Sequence, residues 1–300
     1  MEQKLTFKDW LIATRPWSFT ASAMSVIVVL VYQQWLTGGV DWLNGVLAVV
    51  GIILFHAAGN TWSDYCDYTS GVDTVEGAYA VPTLTSGQFN PKQIRSLALA
   101  LLVAGCGVGL YLLLTTGLTL LWIGLGGIFC ALCYPPLKYR ALGDAVILAA
   151  YCLLPSIGAS YVAVGEIDWR VLLAALPVGL LVDSILHSNN TRDMTTDRKA
   201  KIQTMAMGMG IKWSIALYIF EQLFPYVWVI ALIPFGVFPW ISAIVIFVMK
   251  MGVQNCRTMR EFKEEGDSAK IAMLDQRSAQ SQMLFAIVLS LSLLLDMLLR

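Results

Sequence analysis

Two groups of aspartates stand at the ends of strongly apolar segments of this chain. Asp64 and Asp67 form the first group, with Asp73 a few residues later, and Asp193 and Asp197 form the second. Carboxylates beside a lipid bilayer cost free energy, so they are seldom found there without a positively charged partner. Two such groups indicate shared bound cations, most simply Mg²⁺, which proteins commonly hold with carboxylates together with substrate phosphates. The sequence therefore predicts a membrane enzyme that acts on a lipid diphosphate.

The first group has the spacing of one helical face. Asn60, Asp64 and Asp67 follow one another at i, i+4 and i+7, and Ser63 lies four residues before Asp67. Residues three or four apart are neighbours on the surface of a helix. Oxygen-bearing side chains on a shared face suit a hard cation. Taken alone, the group is explained equally well as the polar end of a helix at a membrane surface.

The second group repeats this pattern. Asn190, Asp193 and Asp197 lie at i, i+3 and i+7, and Asp183 and His187 stand further back on the same predicted face. Carboxylates this close repel one another, and a bound cation relieves that repulsion. Two acidic groups on the same side of a membrane therefore favour metal binding over simple helix-end polarity.

A third element lies between the two acidic groups. It runs from Tyr134 through Pro135 and Pro136 to Lys138 and Arg140. Because proline lacks an amide hydrogen, the proline pair predicts an abrupt helix end. Lysine suits phosphate as a point charge, and arginine can bind it through two hydrogen bonds. The alternative is that these two cations serve only to orient the chain in the membrane.

The composition defines the elements that must position these groups. Hydrophobic residues make up 57% of the 300 residues and charged residues only 13%, which excludes an ordinary soluble domain. Because a bilayer core requires roughly 20 apolar residues per helix, we expect nine spans. They cover residues 17–37, 43–62, 95–116, 118–134, 142–164, 171–189, 212–233, 237–253 and 282–299.

The basic residues predict the orientation of these spans. Of the 20 lysines and arginines, 18 lie in the N-terminal arm or after the second, fourth, sixth and eighth predicted spans, and only Arg170 and Arg300 do not. Loops rich in Lys and Arg stay in the cytoplasm. We therefore expect a cytoplasmic N-terminus, cytoplasmic loops at 63–94, 190–211 and 254–281, and a C-terminus on the opposite side.

Together these motifs resemble the UbiA superfamily of intramembrane prenyltransferases. That superfamily combines an N-D-x-x-D motif, a central Y-x-x-x-K and a D-x-x-x-D motif with nine transmembrane helices. The corresponding residues here are Ser63-Asp64 with Asp67, Tyr134 with Lys138, and Asp193 with Asp197. Ser63 replaces the usual asparagine of the first motif, and Asn60 is a candidate to supply the missing amide.

The resemblance implies a fold and an activity. It implies an all-α polytopic membrane protein, a single domain over residues 1–300, with a helix bundle around a central cavity open to the cytoplasm. It also implies Mg²⁺-dependent transfer of a polyprenyl group from a prenyl diphosphate to an aromatic acceptor. We expect no nucleic-acid partner, and the oligomeric state is not predicted.

The resemblance also assigns roles to individual residues. The implied metal ligands, which are also catalytic, are Asp64, Asp67, Asp193 and Asp197, and Lys138 is the implied catalytic cation. The implied substrate-binding residues are Asn60, Ser63, Tyr134, Arg140, His187, Asn190, Arg192 and Lys199.

Within the superfamily, the amino-acid sequence of these motifs looks most similar to that of the 1,4-dihydroxy-2-naphthoate polyprenyltransferases of menaquinone biosynthesis. The likeness is carried by residues 64–73, 135–140 and 189–193. It implies 1,4-dihydroxy-2-naphthoate as the acceptor and a bacterial inner membrane as the location. Another aromatic acceptor, such as a hydroxybenzoate, is the alternative.

An ion-coupled transporter is a different class of function for the same composition. Asp183, His187 and Glu221 would then form an ion path, since ionisable groups inside a membrane often mark one. Transporter sites usually lie near the membrane midplane, whereas both acidic groups here gather at one surface. The remaining histidine, His56, is expected to form a hydrogen bond between helices.

Overall fold

The computed structural model describes residues 5–72 and 83–300, so Asp73 lies outside the described residues. Most of these residues form helices. The described residues contain no β-strand, and their β-type pairing is limited to one isolated bridge between Arg140 and Gln203. The α-helices are α1 Phe7–Ala13, α2 Phe19–Thr37, α3 Trp42–Thr69, α4 Pro91–Thr116, α5 Thr119–Lys138, α6 Gly143–Leu148, α7 Leu154–Val164, α8 Val171–Arg192, α9 Met194–Lys199, α10 Met205–Met209, α11 Ile211–Leu232, α12 Met249–Met259 and α13 Leu274–Leu299. The all-α fold class is therefore confirmed.

Eight helical stretches in the described part of the chain are long and apolar enough to cross a membrane. They correspond to eight of the nine predicted spans, with α6 and α7 forming one continuous stretch, Gly143–Val164. The segment predicted at 237–253 differs. It consists of a 3₁₀-helix, Trp240–Phe247, followed by α12. Pro239 starts it without an amide donor, and its isoleucines and valines are poor α-helix formers.

This composite segment still traverses the bundle beside α13. At one end Ser242 Oγ lies 2.8 Å from Ser292 Oγ. At the other end Arg277 donates to Thr258 Oγ1 at 3.1 Å. At 1.5 Å per residue, the part of α13 between these contacts is roughly 22 Å long. The chain therefore alternates between the two ends of the bundle nine times within the described residues.

Several helices extend further than the sequence predicted. Helix α3 ends at Thr69 rather than at 62, α8 ends at Arg192 rather than at 189, and α13 begins at Leu274 rather than at 282. Parts of the predicted loops 63–94, 190–211 and 254–281 are therefore helical. The polar side chains in these extensions find partners in neighbouring helices, so the backbone remains helical beyond the apolar run.

The proline pair does not end α5, which differs from the prediction. Pro135 and Pro136 both lie inside α5, which continues to Lys138. A proline leaves the carbonyl four residues earlier without its helical donor. For Pro136 that carbonyl belongs to Leu132, and the indole of Trp62 on α3 donates to it at 3.1 Å. A contact between helices thus replaces the missing backbone bond, and Lys138 stays in the helix.

The turn just before α7 packs unusually close to α8. A π-helical turn, Ala149–Leu153, precedes α7 and places Cys152 against Gly179 of α8. A Cβ atom at Gly179 would lie 2.5 Å from Cβ and 2.6 Å from Sγ of Cys152. Only glycine fits at this crossing.

The substitution Gly179→Ala is expected to destabilise the protein by about 1–3 kcal/mol, because an extra methyl group overpacks the contact. Thermal unfolding in detergent measures this effect. Gly107→Ala is the matched control, since a Cβ at Gly107 meets nothing within 4 Å. Gly107→Ala should be neutral or slightly stabilising. A Gly179→Ala variant as stable as the parent would contradict the packing described.

Candidate active site

A large cavity opens among α3, α4, α5, α7 and the end of α8. Its volume is about 1180 Å³. Its deep walls are apolar and include Ile52, Phe55, Val108, Leu112, Leu120 and Ile123. Its polar end includes Ser63, Asp67, Asn190, Asp193 and Asp197. Both acidic groups therefore contribute to one cavity that has a charged end and an apolar interior.

Asp67 faces the cavity and is held by three neighbours. Ser63 Oγ donates to it at 3.2 Å, and Lys138 Nζ lies 3.6 Å from its carboxylate. The Tyr139 hydroxyl also donates to it. Burial, followed by the charge of Asp67, raises the pKa of Tyr139, so this hydroxyl keeps the proton it donates. The end of α5 thereby fixes the first acidic group of α3.

Asp64 points away from Asp67 towards the N-terminal segment. It pairs with Arg15 and accepts a hydrogen bond from Thr83 Oγ1 at 3.4 Å. Arg15 lines the cavity, but Asp64 is not among the cavity residues. Asp64 and Asp67, three residues apart on α3, thus contact different neighbours. Asp64 is joined to the cavity wall through the guanidinium group of Arg15.

Arg15 is a site residue that the sequence analysis treated only as a topological charge. Its backbone has φ 57°, in the left-handed region, which is costly for a residue with a Cβ atom. Pro16 follows it and disfavours the ordinary helical conformation at Arg15. The only sequence signal was this Arg-Pro pair just before the first span.

The second acidic group is tied to the last helix. Arg192 makes two hydrogen bonds of 2.8 Å to Asp193, and it also contacts Asp275 at 3.3 Å. Asp197 is buried. Burial raises the pKa of Asp197 to about 7, although the ammonium group of Lys138 opposes this rise. A cation near Asp197 would offset the cost of its negative charge.

The structure brings most of the predicted site residues to the cavity. Those lining it are Asn60, Ser63, Asp67, Tyr134, Lys138, Asn190, Arg192, Asp193, Asp197 and Lys199. Three predicted residues do not line it, namely Asp64, Arg140 and His187. Asn60 bonds to the Thr14 carbonyl and to Ser18 Oγ, both at 3.1 Å, so its amide joins α3 to the N-terminal segment.

Arg140 is exposed and directed away from the cavity. The chain turns after α5, where the amide of Gln203 donates to the Tyr139 carbonyl at 3.1 Å. Ala141 adopts a left-handed conformation with φ 61° directly after it. Arg140 therefore does not line the cavity, and Tyr134 and Lys138 represent the third element there.

His187 belongs to a buried network behind the cavity. Its Nδ1 lies 3.2 Å from Asp144 Oδ1, and its Nε2 lies 3.0 Å from the carbonyl oxygen of Ser214. Asn190 also donates to Asp144, at 3.4 Å. This network joins α6, α8 and α11. The sequence did not predict a role for Asp144, because no motif distinguishes it.

The other histidine, His56, lies on the cavity wall. Its Nδ1 is 2.9 Å from Ser22 Oγ on α2, which is the interhelical hydrogen bond expected for it. Its ring centroid is 4.7 Å from that of Tyr151. Both rings line the cavity beyond its charged end. They give this part of the wall an aromatic surface.

The residues named for a transport path do not line this cavity. Neither Asp183 nor Glu221 is among the residues that line the cavity in the described part of the chain. His187 is fully buried in the network described above. The cavity and these three residues are therefore separate features.

The donor set at the charged end suits Mg²⁺. Asp67, Asp193 and Asp197 face the same cavity, and carboxylate oxygens are preferred ligands of this ion. The buried Oδ1 of Asn189, another cavity residue, has no hydrogen-bond partner within residues 5–72 and 83–300. The same residues contain no cluster of three or more Asp, Glu, His or Cys side chains close enough to hold a metal. The residues therefore fit an ion shared with substrate oxygens better than an ion enclosed by protein alone.

Comparison with known proteins gives the family. Residues 22–274 match the UbiA prenyltransferase family. The chain belongs to that family. The superfamily resemblance of the sequence motifs is thereby confirmed.

The relatives carry one recurring name, UbiA prenyltransferase domain-containing protein 1. The Danio rerio protein is 34% identical over 223 residues, which cover 72% of this chain and 66% of that protein. The Homo sapiens protein is 33% identical over 226 residues, covering 73% and 66%. The Drosophila melanogaster homologue is 31% identical, covering 74% and 64%. The chain thus spans just under two thirds of these relatives, and they do not single out the naphthoate subfamily.

Solved structures share the fold. The apo structure of a UbiA homologue from Aeropyrum pernix K1 has a TM-score of 0.66 at 12% identity, covering 93% of this chain and 98% of that chain. A UbiA homologue from Archaeoglobus fulgidus bound to DMAPP and Mg²⁺ has a TM-score of 0.63 at 12% identity, covering 94% and 100%. The family match and the eight apolar helices of the described residues make the chain an integral membrane protein.

The substitution His187→Ala is expected to lower stability, because it leaves buried Asp144 and the Ser214 carbonyl without their partner. An unsatisfied buried group costs about 1–3 kcal/mol. Thermal unfolding in detergent measures the loss, and Lys199→Ala, at an exposed position, is the control. Unchanged unfolding of His187→Ala would contradict the structural role described for His187.

Proposed function

We propose that this protein transfers a prenyl group from a prenyl diphosphate to an aromatic acceptor, with Mg²⁺ as cofactor. The observation that carries the proposal is the cavity with acidic and basic groups at one end and apolar walls beyond them. A diphosphate matches the charged end, and a prenyl chain matches the walls. The structure of the Archaeoglobus fulgidus homologue bound to GPP and Mg²⁺ supports the same pairing of ligands.

Asp67, Asp193 and Asp197 are the proposed Mg²⁺ ligands that face the cavity. The ion would neutralise charge on the leaving diphosphate as the allylic C–O bond breaks. Asp64 remains a proposed ligand, but it pairs with Arg15 in this structure. It becomes available if the guanidinium group of Arg15 turns from the carboxylate to a diphosphate oxygen. Such an exchange would keep the charges at the end of α3 balanced.

Four cations among the described residues line the charged end, namely Arg15, Lys138, Arg192 and Lys199. Bond breaking leaves negative charge on the diphosphate and positive charge on the prenyl carbon. Positive groups fixed where negative charge develops lower the barrier. Lys138 is suited to this role because Asp67, 3.6 Å away, holds its ammonium group at the rim. Ser63, Asn60, Tyr134, Asn190 and Arg192 complete the proposed binding residues.

The apolar walls have two proposed tasks. They bind the prenyl chain, and they exclude water that would otherwise react with the prenyl cation. The acceptor would then lie against the aromatic surface formed by His56 and Tyr151. Aromatic rings favour offset or edge contacts with other rings. This supports an aromatic acceptor, with 1,4-dihydroxy-2-naphthoate as the first candidate and a hydroxybenzoate as the second.

The proposed orientation places the charged end of the cavity in the cytoplasm. The distribution of 18 of the 20 basic residues supports it. The ends of α3, α5 and α8 meet at the same end of the bundle, as the ion pair of Asp67 with Lys138 and the lining of the cavity indicate. A bacterial inner membrane is the proposed location.

Purified protein incubated with a labelled polyprenyl diphosphate, Mg²⁺ and a panel of hydroxy-aromatic acids should yield a prenylated product, identified by mass. Chelation of divalent cations with EDTA should abolish this product, and excess Mg²⁺ should restore it. Absence of a product with every aromatic acid would contradict the acceptor class. Full activity in EDTA would contradict the metal requirement.

The variants Asp67→Asn and Asp193→Asn are expected to lower prenyl transfer by about 100-fold or more, since each removes a charge from the proposed metal site. Initial rates at saturating substrate measure the loss. Glu166→Gln, at an exposed position, is the control and should keep the parent rate. Gel filtration in detergent verifies folding of each variant. Parent rates in either aspartate variant would exclude that carboxylate as a ligand.

A further inference from the structure

A second polar region lies inside the bundle, between α8, α11 and α13. It contains Asp183 on α8, Glu221 on α11 and Gln282 on α13. Their side chains are buried, with 3%, 1% and 0% of their surfaces exposed. We call these three residues the polar layer. None of them is among the residues that line the large cavity.

Hydrogen bonds between the helices place the three residues at one level. Gln222 Nε2 donates to Ser184 Oγ at 2.7 Å, which joins the positions directly after Glu221 and Asp183. The carboxylates of Asp183 and Glu221 also interact electrostatically. Helices α8 and α11 therefore bring the two carboxylates to the same depth of the bundle.

Helix α13 joins this level through a second contact. The hydroxyl groups of Tyr218 and Ser278 are 2.7 Å apart. Glu221 lies three residues after Tyr218, and Gln282 lies four residues after Ser278. Helices α11 and α13 begin at the same end of the bundle, and positions three or four apart share a face. Gln282 therefore stands on the part of α13 that contacts α11 through Tyr218 and Tyr226, and Glu221 lies between these two tyrosines in the sequence of α11.

The polar layer contains a concentration of unsatisfied atoms. Asp183 Oδ1, both carboxylate oxygens of Glu221, and both Nε2 and Oε1 of Gln282 are buried without a hydrogen-bond partner among the described residues. Nearly all buried polar atoms of folded proteins are paired, and an unpaired one points to a missing water or ion. Gln282 is an amide, so it identifies this region independently of the two acids.

No basic side chain neutralises the polar layer. Within residues 5–72 and 83–300, neither Asp183 nor Glu221 forms an ion pair. The nearby amide groups of Gln222 and Asn255 bond to each other at 3.4 Å. A positive charge between two buried carboxylates would offset the cost of their negative charges. Four of the five free atoms are carboxylate or amide oxygens, which are ligands of hard cations, and the fifth is the donor Nε2 of Gln282.

We propose that Asp183, Glu221 and Gln282 bind a hard metal cation between α8, α11 and α13, separate from the proposed active site. Only two of these ligands are carboxylates, which agrees with the absence of larger metal-binding clusters in the described residues. The cation joins three helices of the bundle and therefore stabilises the fold. This site is independent of the proposed prenyl transfer.

Thermal unfolding of the full chain in detergent tests the site in choline chloride, NaCl, CaCl₂ and MgCl₂ at equal ionic strength. At least one of the three metal ions is expected to raise the melting temperature of the parent above its value in choline chloride. Any such rise should be lost or strongly reduced in Glu221→Gln and in Gln282→Leu. The identity of the effective salt then separates a monovalent from a divalent cation.

Two matched variants control for general effects of substitution. Glu166→Gln removes an exposed carboxylate, and Gln33→Leu removes a buried glutamine of α2 that lies outside the polar layer. Both should keep the full response of the parent to the metal ion. An equal melting temperature of the parent in all four salts would overturn the proposal. So would a metal-dependent rise that persists in Glu221→Gln after Asp67→Asn and Asp193→Asn have removed two carboxylates of the proposed active site.

Discussion

The pairing of buried and half-buried carboxylates with cations at one end of the bundle is the constraint on which the site depends. An unpaired charge in this environment would cost several kcal/mol. Asp64 pairs with Arg15, Asp67 with Lys138, and Asp193 with Arg192. Each pair includes a residue at or near a helix end. The Asp67–Lys138 pair therefore joins the end of α3 to the end of α5, and Arg192 joins the end of α8 to α13 through Asp275.

These pairs also explain why the acidic groups are compatible with a stable protein before any ligand binds. Asp67 and Asp193 each have a cation, while Asp197 lies within the influence of Lys138. A metal–diphosphate complex would bring both new positive charge for the carboxylates and new negative charge for the cations. The site can therefore exchange internal ion pairs for contacts with a ligand without leaving a group unpaired. Arg15, which holds Asp64 from the cavity side, is placed for such an exchange.

Periodicity and charge predicted much of this arrangement. The i, i+4, i+7 spacing placed Asn60, Asp64 and Asp67 on a continuous helix, and α3 does extend to Thr69. The same reasoning could not show that Asp64 and Asp67 contact different neighbours. A three-residue separation turns side chains by roughly 60° from one another, and only the position of Arg15 and of α5 decides what each one meets.

Other features could not be predicted because contacts distant in sequence override local preference. The proline pair predicts a helix end. However, the indole of Trp62 donates the hydrogen bond that the Leu132 carbonyl lacks inside α5. The segment after Pro239 has the composition of an ordinary span, but it forms a 3₁₀-helix and then α12. Asp144 carries no motif, and its role becomes visible only when His187 and Asn190 are placed beside it.

The two polar regions of the bundle differ in how fully they are satisfied. Around His187 each polar group has a partner, so this network can fix α6, α8 and α11 without a ligand. In the polar layer, five buried atoms of three residues have no partner among the described residues. Satisfied networks rigidify a core, whereas unsatisfied ones are costly in a low-dielectric interior. The persistence of the polar layer beside a complete network is therefore better explained by a bound ion than by packing alone.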